Sequence, residues 1–361
     1  ASDFTPTILT PTFSYPYTLI YGPDDYLWLT ERGGKKINRV KKDGTAVDVL
    51  LDMSTLVYYT TIGAQDGLMG LALHPNLGKG TGEDYVYVSY TYGTSDANEA
   101  LRIVRYTYSN PTGTDGSLAS PLTLIEGLSA SSDHNSGRLV FGPDNKLYYS
   151  IGDQGVNQFA NTCNVNHAQD IPTQAMLDAK NYNYYEGKIL RMNLDGTIPA
   201  DNPVINGIKS HIFTYGHRNA QGLVFGKNGK LYSTEHGPKS DDEINILKSG
   251  GNYGWPFIAG YKDDKNYGYC NWSTISNCSA GMFTNYSCGA GATSYTESGW
   301  GETFTNPITS LYAIEDGYNF TGDWLTWPTI APSSAKVYEG FDAQIPGWDN
   351  SIIIPTLKKG R

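Results

Sequence analysis

A short pattern recurs along the chain: an aromatic residue, Gly, often Pro-Asp, a polar turn, and then an alternating strand rich in Tyr and Leu. Three copies read YGPDDYLWLT at 21–30, FGPDNKLYYS at 141–150 and FGKNGKLYST at 225–234, and a looser copy spans 73–90. Gly and Asp or Asn supply the positive φ angles of a tight turn, and the alternation gives each strand one buried face. Each copy therefore predicts a β-hairpin.

A second pattern lies between these hairpins, with a basic start, an apolar alternation and a closing Asp-Gly turn. It is clear at 34–45 and 187–197 and looser at 243–251. Two hairpins per unit, repeated at spacings of about 50 to 85 residues, are typical of four-stranded propeller blades. A β-sandwich would lack this self-similarity. The sequence therefore predicts an all-β chain in which 1–361 form a single β-propeller domain of four-stranded antiparallel blades.

Composition agrees with this interpretation and excludes two kinds of partner. The chain has 41 Gly and 28 Tyr among 361 residues and only 17% charged residues, which suits a turn-rich β protein. Its formal net charge of -10 argues against a nucleic-acid or anionic-membrane surface. No run approaches the ~20 consecutive apolar residues of a membrane span.

The cysteines and the first residue bear on the compartment. Cys270, Cys278 and Cys288 cluster in one segment, whereas Cys163 stands apart. The cysteine spacing contains no C-x-x-C pair, which argues against a zinc site. We therefore expect a local disulfide in an exported protein. The sequence begins with Ala1 rather than Met, so either a signal peptide has been removed or the sequence was cut there. We expect a periplasmic or secreted protein.

Two polar loops each precede a strand and a glycine-rich turn. The first carries Asp133 and His134, and the second, YGHRNAQG at 215–222, carries Arg218. Histidine can accept and release a proton near neutral pH, and a neighbouring carboxylate can orient its ring. A structural histidine in a loop is the alternative. Because two loops of one kind enter equivalent strands, we expect them to converge on one pocket.

Two segments interrupt the strand pattern. The first, 157–185, has a short helix expected within 168–180, and the second, 261–302, is long and rich in aromatic residues, Gly, Ser and Asn. Long loops on one rim of a propeller usually build the binding site. Both segments are therefore candidate walls of a pocket.

Six segments, taken in order, resemble one family. They read GAQDGLMGLALHP at 63–75, SDHNSGRLVFGPD at 132–144, YGHRNAQGLVFG at 215–226, STEHGPKSDDEINILKSGGNYGWP at 233–256, TWPTIAPSS at 326–334 and TLKKG at 356–360. They closely resemble the soluble glucose or aldose dehydrogenases that depend on calcium and pyrroloquinoline quinone (PQQ), which are six-bladed propellers. The resemblance implies oxidation of the anomeric hydroxyl of an aldose to the lactone, with hydride passing to the quinone and electrons to an external acceptor.

The resemblance also implies roles for single residues. His134 matches the general base, with Asp133 beside it and Gln65 near the sugar. Arg218 matches the cation that stabilises negative charge on the quinone oxygen, although in isolation it could simply pair with an acid. The other histidines are expected to be structural, with His217 the nearest to the pocket. Positions that match the surroundings of cofactor and substrate are Asn219, Lys358, Thr329, Ala331, Gln158, Phe159, Trp324 and Trp327.

A metal site is expected in 237–253, where irregular turns accompany Asp241, Asp242 and Glu243. Calcium takes six to eight oxygen ligands, including backbone carbonyls of such turns, although a solvated acidic turn is the alternative. By resemblance, the carbonyls of Gly237 and Pro238 hold the ion that bridges to the cofactor. The further calcium ligands that the resemblance implies are Glu243, Tyr253, Ala259, Tyr261, Asp263 and Glu297.

The match departs from the family at its end. Family members continue past the position of Arg361 through a strand region that completes the sixth blade and adds two arginines on the cofactor's carboxylates. We expect the last blade to be incomplete here, because the sequence is either an incomplete record or a truncated chain whose propeller cannot close in the usual way. Relatives dimerise, so a homodimer is also considered.

Two other functions stay open, because a fold does not fix a function. One is a calcium-dependent lactonase or esterase propeller, which would need a metal and a histidine but no quinone. The other is a non-catalytic propeller that binds a sugar or a protein.

Overall fold

The computed structural model describes residues 8–9, 11–61, 63–109, 115–280, 288, 291–338 and 345–358. The chain divides into two compact units, Ala1–Glu126 and Gly127–Arg361. Strands dominate both units, and the α-helix found among these residues is α1 (Gln174–Asp178). Four 3-10 helices lie at Asp96–Asn98, Phe159–Asn161, Asn183–Tyr185 and Trp272–Thr274. None of the helices in this part of the chain is long and apolar enough to cross a membrane.

The first unit holds two four-stranded antiparallel sheets whose strands follow one another in chain order. One sheet contains β1 (Pro16–Tyr21), β2 (Tyr26–Glu31), β3 (Lys36–Lys41) and β4 (Val47–Asp52). The other contains β5 (Leu68–Leu73), β6 (Tyr85–Tyr92), β7 (Ala100–Ser109) and β8 (Ser117–Ser129), whose last residues pass into the second unit. A single apolar core that includes Trp28, Ile37, Leu71 and Val88 fills the space between these two sheets.

The second unit holds two more four-stranded sheets and three two-stranded ribbons. In chain order its strands are β9 (Leu139–Phe141), β10 (Leu147–Ile151), β11 (Lys188–Met192), β12 (Val204–Ile205), β13 (Ile208–Lys209), β14 (Ile212–Tyr215), β15 (Ala220–Phe225), β16 (Leu231–Glu235), β17 (Asp242–Leu247), β18 (Gly268–Asn271), β19 (Thr293–Thr296), β20 (Thr309–Leu311), β21 (Lys336–Val337) and β22 (Ile352–Ile353). The four-stranded sheets have the orders β14-β11-β10-β9 and β15-β16-β17-β20. The ribbons are β12-β13, β18-β19 and β21-β22.

The Gly-Pro-Asp turn explains why the hairpin pattern recurs. In the first sheet, the turn residue Asp24 accepts a hydrogen bond from Arg39 of β3 at 3.1 Å. In the third sheet, Asp144 accepts one from Arg191 of β11 at 2.9 Å. A Cβ on the glycine of either turn would overlap the carboxylate of that same Asp. The motif thus fixes the turn and ties it to the third strand of its own sheet.

The structure confirms the main predictions about the fold. The predicted hairpins are β1-β2, β5-β6, β9-β10 and β15-β16, and the all-β class with four-stranded antiparallel sheets is confirmed. The short helix expected within 168–180 is present, but it begins after the N-cap Thr173, whose hydroxyl accepts from the Met176 amide. Segment 261–302 contains the ribbon β18-β19, which sequence patterning did not predict. The six-blade count and the single domain over 1–361 stay predictions.

The disulfides partly follow the expectation from the sequence. Cys270 and Cys288 form the local bond that was expected. Cys163, which stands apart in the sequence, pairs with Cys278 across 115 residues. The second bond joins the segment after β10 to the segment after β18.

Candidate active site

His134 lies in the loop that leads into β9, with a backbone φ of 47°, and the residue is only 4% exposed. Its Nδ1 is 2.7 Å from Oδ1 of Asp153. Gly152 and Asp153 are the first two residues after β10. A Cβ on Gly152 would overlap the His134 carbonyl, so this close approach requires glycine. Because a carboxylate accepts, the hydrogen bonds assign the ring proton to Nδ1 and leave a lone pair on Nε2.

Gln158 connects His134 with Arg218. Its amide nitrogen is 2.9 Å from Nε2 of His134 and 2.5 Å from Oδ2 of Asp133. Its amide oxygen accepts from the Arg218 guanidinium at 3.0 Å. The two polar loops therefore converge, as the sequence predicted, and the amide of Asp153 also donates to the Arg218 carbonyl at 2.8 Å.

Arg218 is held from several directions. Its backbone amide donates to the carboxylate of Glu235, and its guanidinium donates to the His236 carbonyl at 3.2 Å. Its Cζ lies 5.4 Å from the centroid of the Trp255 ring, within the range of a cation–π contact. The indole of Trp255 donates to Oδ2 of Asp153 at 2.8 Å. Asp153 thus holds both His134 and the ring below Arg218.

A cavity opens beside Arg218. It is lined by Gly216, Arg218, Glu235, His236, Gly237, Pro238, Asp241, Glu243, Tyr253, Trp255, Ile258 and Ala259. Burial, followed by the charges of Arg218 and His134, lowers the pKa of His236 to about 3. Its Nε2 is 2.9 Å from the Pro332 carbonyl, so Nε2 is the donor of a neutral ring. The cavity therefore presents one permanent cation, neutral rings and several carboxyls.

Three of the residues expected at the cofactor lie together near the end of the chain: Thr329, Ala331 and Lys358. Asp242 accepts from the amide of Ala331 at 2.9 Å. The ammonium of Lys358 donates to the hydroxyl of Thr329, and its charge is among those that act on His236. These predicted residues therefore belong to the surroundings of His236.

Asn219 is fully buried beside this network. Its side-chain oxygen accepts from the Ser136 hydroxyl at 2.9 Å and from the Gln221 amide at 3.0 Å. The two polar loops are therefore joined a second time, through Ser136 and Asn219.

Other predicted residues lie at the periphery or elsewhere. The ring of Trp327 is 4.9 Å from the Lys239 ammonium. Trp324 is 49% exposed and Phe159 is 65% exposed. Gln65 belongs to the first unit, so its place near a sugar stays a prediction.

The predicted calcium ligands fall into two groups. Gly237, Pro238, Glu243, Tyr253 and Ala259 all line the cavity. Burial, and then repulsion from Glu235, raises the pKa of Glu243 well above its ordinary value. Burial likewise raises the pKa of Asp241 to about 6. A cavity wall that keeps several carboxyls away from water suits a bound cation.

The second group lies in the loop after the cavity. Glu297 is fully buried and accepts from the amides of Ala259 at 3.0 Å, Asp263 at 3.1 Å and Asp264 at 2.8 Å. Burial raises its pKa to about 7. Tyr261 and Asp263 have exposed side chains. Among the described residues, no cluster of three or more His, Cys, Asp or Glu side chains has the arrangement of a metal site.

Comparison with known proteins identifies the family. Residues 13–297 match the family model described as Glucose / Sorbosone dehydrogenase. The chain belongs to this family. It is 44% identical over 375 residues to quinoprotein glucose dehydrogenase B of Acinetobacter calcoaceticus, an alignment that covers all of this chain and 77% of that protein. The chain is thus a homologue of quinoprotein glucose dehydrogenases.

Two solved structures resemble this member of the glucose/sorbosone dehydrogenase family. The PQQ-bound aldose sugar dehydrogenase of Streptomyces coelicolor is 25% identical, with a TM-score of 0.60 over 91% of this chain and 72% of that one. The soluble aldose sugar dehydrogenase of Escherichia coli in its apo-form is 23% identical and has a TM-score of 0.65, over 98% of this chain and 83% of that one. These likenesses support a β-propeller arrangement in which the four-stranded sheets are blades.

Sequence reasoning missed some residues of the site. It placed Asp133 beside the histidine, and Asp133 does lie 3.7 Å from Nε2, but it did not find Asp153, which contacts Nδ1. His236 lines the cavity, although it was expected to be structural. His217, expected to be the histidine most able to reach the pocket, does not line the cavity, but its buried ring is 2.9 Å from Oε2 of Glu235, which does.

Proposed function

We propose that this protein oxidises the C1 hydroxyl of glucose or another aldose to the lactone, with PQQ and calcium, and passes the electrons to an external acceptor. The observation that carries the proposal is the continuous hydrogen-bond chain from Asp153 through His134 and Gln158 to Arg218, beside a cavity. It places a base, whose Nε2 lone pair accepts from the Gln158 amide, close to a permanent cation. A hydroxyl oxidation needs both groups, because a proton leaves the sugar while negative charge develops on the acceptor.

His134 would accept the hydroxyl proton at Nε2. Because Nδ1 already donates to Asp153, the proton can arrive only at the nitrogen that faces Gln158. The carboxylate then stabilises the imidazolium that forms, as in other His–Asp pairs. Asp133, whose Oδ2 accepts from Gln158, would orient the sugar hydroxyls. From the family resemblance alone, Gln65 is proposed for the same role.

The donor set fits PQQ, an anionic and planar cofactor, which when bound supplies the two-electron acceptor for the hydride. Arg218 and Lys358 provide cations, and the ring of Trp255 lies below the guanidinium. A planar, multidentate cation suits an oxygen that gains negative charge. The further residues proposed to surround the cofactor are Asn219, Thr329, Ala331, Gln158, Phe159, Trp324 and Trp327.

The wall of the cavity fits calcium as well. The carbonyls of Gly237 and Pro238 and the carboxyls of Asp241 and Glu243 offer hard oxygen donors of the kind that calcium prefers. The buried Glu297 would serve a further site in the loop. An ion in the cavity would polarise a bound carbonyl and offset the repulsion between the carboxyls of the cavity wall. The remaining proposed ligands are Tyr253, Ala259, Tyr261 and Asp263.

Three broader features belong to the same proposal. Two disulfides agree with a periplasmic or secreted location, where such bonds persist. Six blades and a homodimer would follow from the family resemblance. The preferred sugar would be set by side chains around the base, among them Asp133.

The test is a dye-reduction assay on the full chain with added PQQ and calcium. We expect glucose-dependent reduction in the wild type and a loss of about 10²-fold or more in His134→Ala, because a positioned base contributes a factor of this order. Full activity in that variant, or lack of aldose-dependent reduction in the wild type, would count against the proposal. Hydrolysis of a lactone without quinone would favour a lactonase instead.

A further inference from the structure

Gln158 is the link between base and cation, yet it lies in an irregular segment. Its side chain is 6% exposed, and its neighbours Asn157 and Phe159 have positive φ angles of 72° and 46°. Non-glycine residues keep such conformations only where the surrounding structure holds them. Hydrogen bonds within the segment, such as that from the Asn161 amide to the Gln158 carbonyl at 2.9 Å, hold part of this backbone, and groups outside the segment hold its two ends.

One anchor is the side chain of Asn157. Its amide nitrogen donates to the Cys270 carbonyl at 2.7 Å, and its amide oxygen accepts from the Trp272 amide at 3.2 Å. The side chain is 2% exposed, and Cys270 and Trp272 are buried as well. Both ends of one buried amide are thus satisfied by the backbone around the end of β18, and removing it would take one hydrogen bond from each of two buried residues.

The second anchor is covalent. Cys163, five positions after Gln158, is bonded to Cys278 in the segment that follows β18. The other disulfide, Cys270–Cys288, closes that same segment on itself. The two ends of 157–163 are therefore both tied to 270–278, one by an amide and one by a disulfide. The segment between them contains Gln158.

We propose that Asn157 and the Cys163–Cys278 disulfide are positioning groups that hold Gln158 between His134 and Arg218. They act through Gln158 and touch neither substrate nor cofactor. The proposal deepens the proposed function and rests on it for its kinetic consequences. Because displacement of a catalytic group by about 1 Å can cost on the order of 10²-fold in rate, a tether at both ends of the segment matters to turnover.

The variants follow from the geometry. Asn157→Gly removes both hydrogen bonds while it still accepts the positive φ, and Cys163→Ser with Cys278→Ser removes the disulfide. The matched control is Thr274→Val beside the same ribbon, which removes the hydrogen bonds of the Thr274 hydroxyl with the Thr293 amide and the Asn271 carbonyl but neither tether. We expect kcat to fall about 10-fold to 10²-fold in the first two proteins and to stay near the wild-type value in the control. Wild-type kcat in both tether variants would overturn the proposal.

A double-mutant cycle separates positioning from general damage. In a Gln158→Ala background, Asn157→Gly should change kcat by less than about twofold, because the side chain that it positions is absent. If Asn157→Gly instead lowers kcat by the same factor in both backgrounds, Asn157 acts structurally and the proposal is wrong.

Hydrogen exchange gives a readout that does not depend on the reaction. The backbone amides of 157–163 should exchange at least about tenfold faster in both tether variants than in the wild type and in Thr274→Val, because local opening becomes easier. Unchanged exchange would overturn the tether. If the wild type fails to oxidise aldoses while exchange changes as expected, the proposed function fails and the tether stands.

Discussion

His134 Nδ1 and Asp153 Oδ1 lie 2.7 Å apart, and the other oxygen of Asp153 accepts from the Trp255 indole at 2.8 Å. The carboxylate is therefore fixed on both sides and is 1% exposed. Because it can only accept, it selects the tautomer in which Nε2 is the basic nitrogen. The geometry of this one side chain thus sets the direction in which the histidine can take a proton.

Replacement of this carboxylate should therefore impair the base without removing it. In Asp153→Asn an amide can donate to Nδ1, which places the ring proton on Nε2 and blocks it as an acceptor. We expect kcat to fall by as much as about 10⁴, the loss seen when Asp→Asn in a Ser-His-Asp triad leaves the histidine in the wrong tautomer. Trp255→Phe keeps the carboxylate and should cost less, about tenfold. Equal activity of Asp153→Asn and wild type in the dye assay would contradict this role.

Arg218 should not tolerate exchange for lysine. Its guanidinium donates at once to the Gln158 side chain and to the His236 carbonyl, a geometry that an ammonium group cannot reproduce. We expect Arg218→Lys to lower kcat about 10-fold to 10²-fold with a smaller change in KM, and Arg218→Gln to lower it further. Steady-state kinetics would measure both. A lysine variant with wild-type kcat would show that charge alone suffices.

Calcium should stabilise the folded protein. Asp241, Glu243, Gly237 and Pro238 line the same cavity, and burial and repulsion from neighbouring acids raise the pKa of both carboxyls. A ligand at 100 times its Kd stabilises by about 2.7 kcal/mol, so calcium should raise Tm by several degrees over chelator-treated protein. Magnesium should do less, because it demands a smaller octahedral site. Glu243→Gln should reduce the calcium-dependent shift, and identical Tm values with calcium and with chelator would contradict the site.

Glu99 of the first unit should make stability depend on pH. Within the described residues both of its carboxyl oxygens are buried without a hydrogen-bond partner, and burial, then repulsion from Asp66 and Asp96, raises its pKa to about 8. The folded state thus binds this proton more tightly than the unfolded chain does. Below pH 4.5, the pKa of this glutamate in the unfolded chain, Glu99 does not change the free energy of unfolding. That free energy declines as the pH rises from 4.5 to about 8.

Glu99→Gln imitates the protonated side chain, so it should remove this decline. We expect the variant to exceed the wild type by about 1 kcal/mol at pH 8, a value discounted for solvent screening, and to match it at pH 4. Denaturant unfolding at the two pH values is the measurement. Glu302→Gln, at an exposed glutamate, is the control. A variant no more stable than wild type at pH 8 would refute the argument.

The sequence predicted the features that local chemistry determines. Gly-Pro-Asp turns specify hairpins within about ten residues, because the turn, its glycine and the first contact of the Asp all lie in the same stretch. The convergence of His134 and Arg218 was predicted from the likeness of their loops. By contrast, Asp153 is 19 residues from His134, and a neighbour in the sequence, Asp133, offered the same chemical group. The choice between the two carboxylates depends on packing across strands.

Long-range pairings were missed for a related reason. The bond between Cys163 and Cys278 and the contact of Asn157 with Cys270 join segments more than 100 residues apart. Nothing in either segment alone specifies its partner. The distinction between His217 and His236 likewise follows from their partners, Glu235 for His217 and the Pro332 carbonyl for His236, which residue types do not reveal.

The central claim is that His134 takes the proton from an aldose while electrons leave to bound PQQ. The most direct measurement is an anaerobic stopped-flow experiment on the full chain loaded with PQQ and calcium, in which absorbance reports the oxidation state of the cofactor after glucose is added. We predict rapid, glucose-dependent reduction of the cofactor in the wild type. In His134→Ala, at unchanged cofactor loading, the rate should fall by about 10²-fold or more. Equal rates in the two proteins, or no reduction in the loaded wild type, would contradict it.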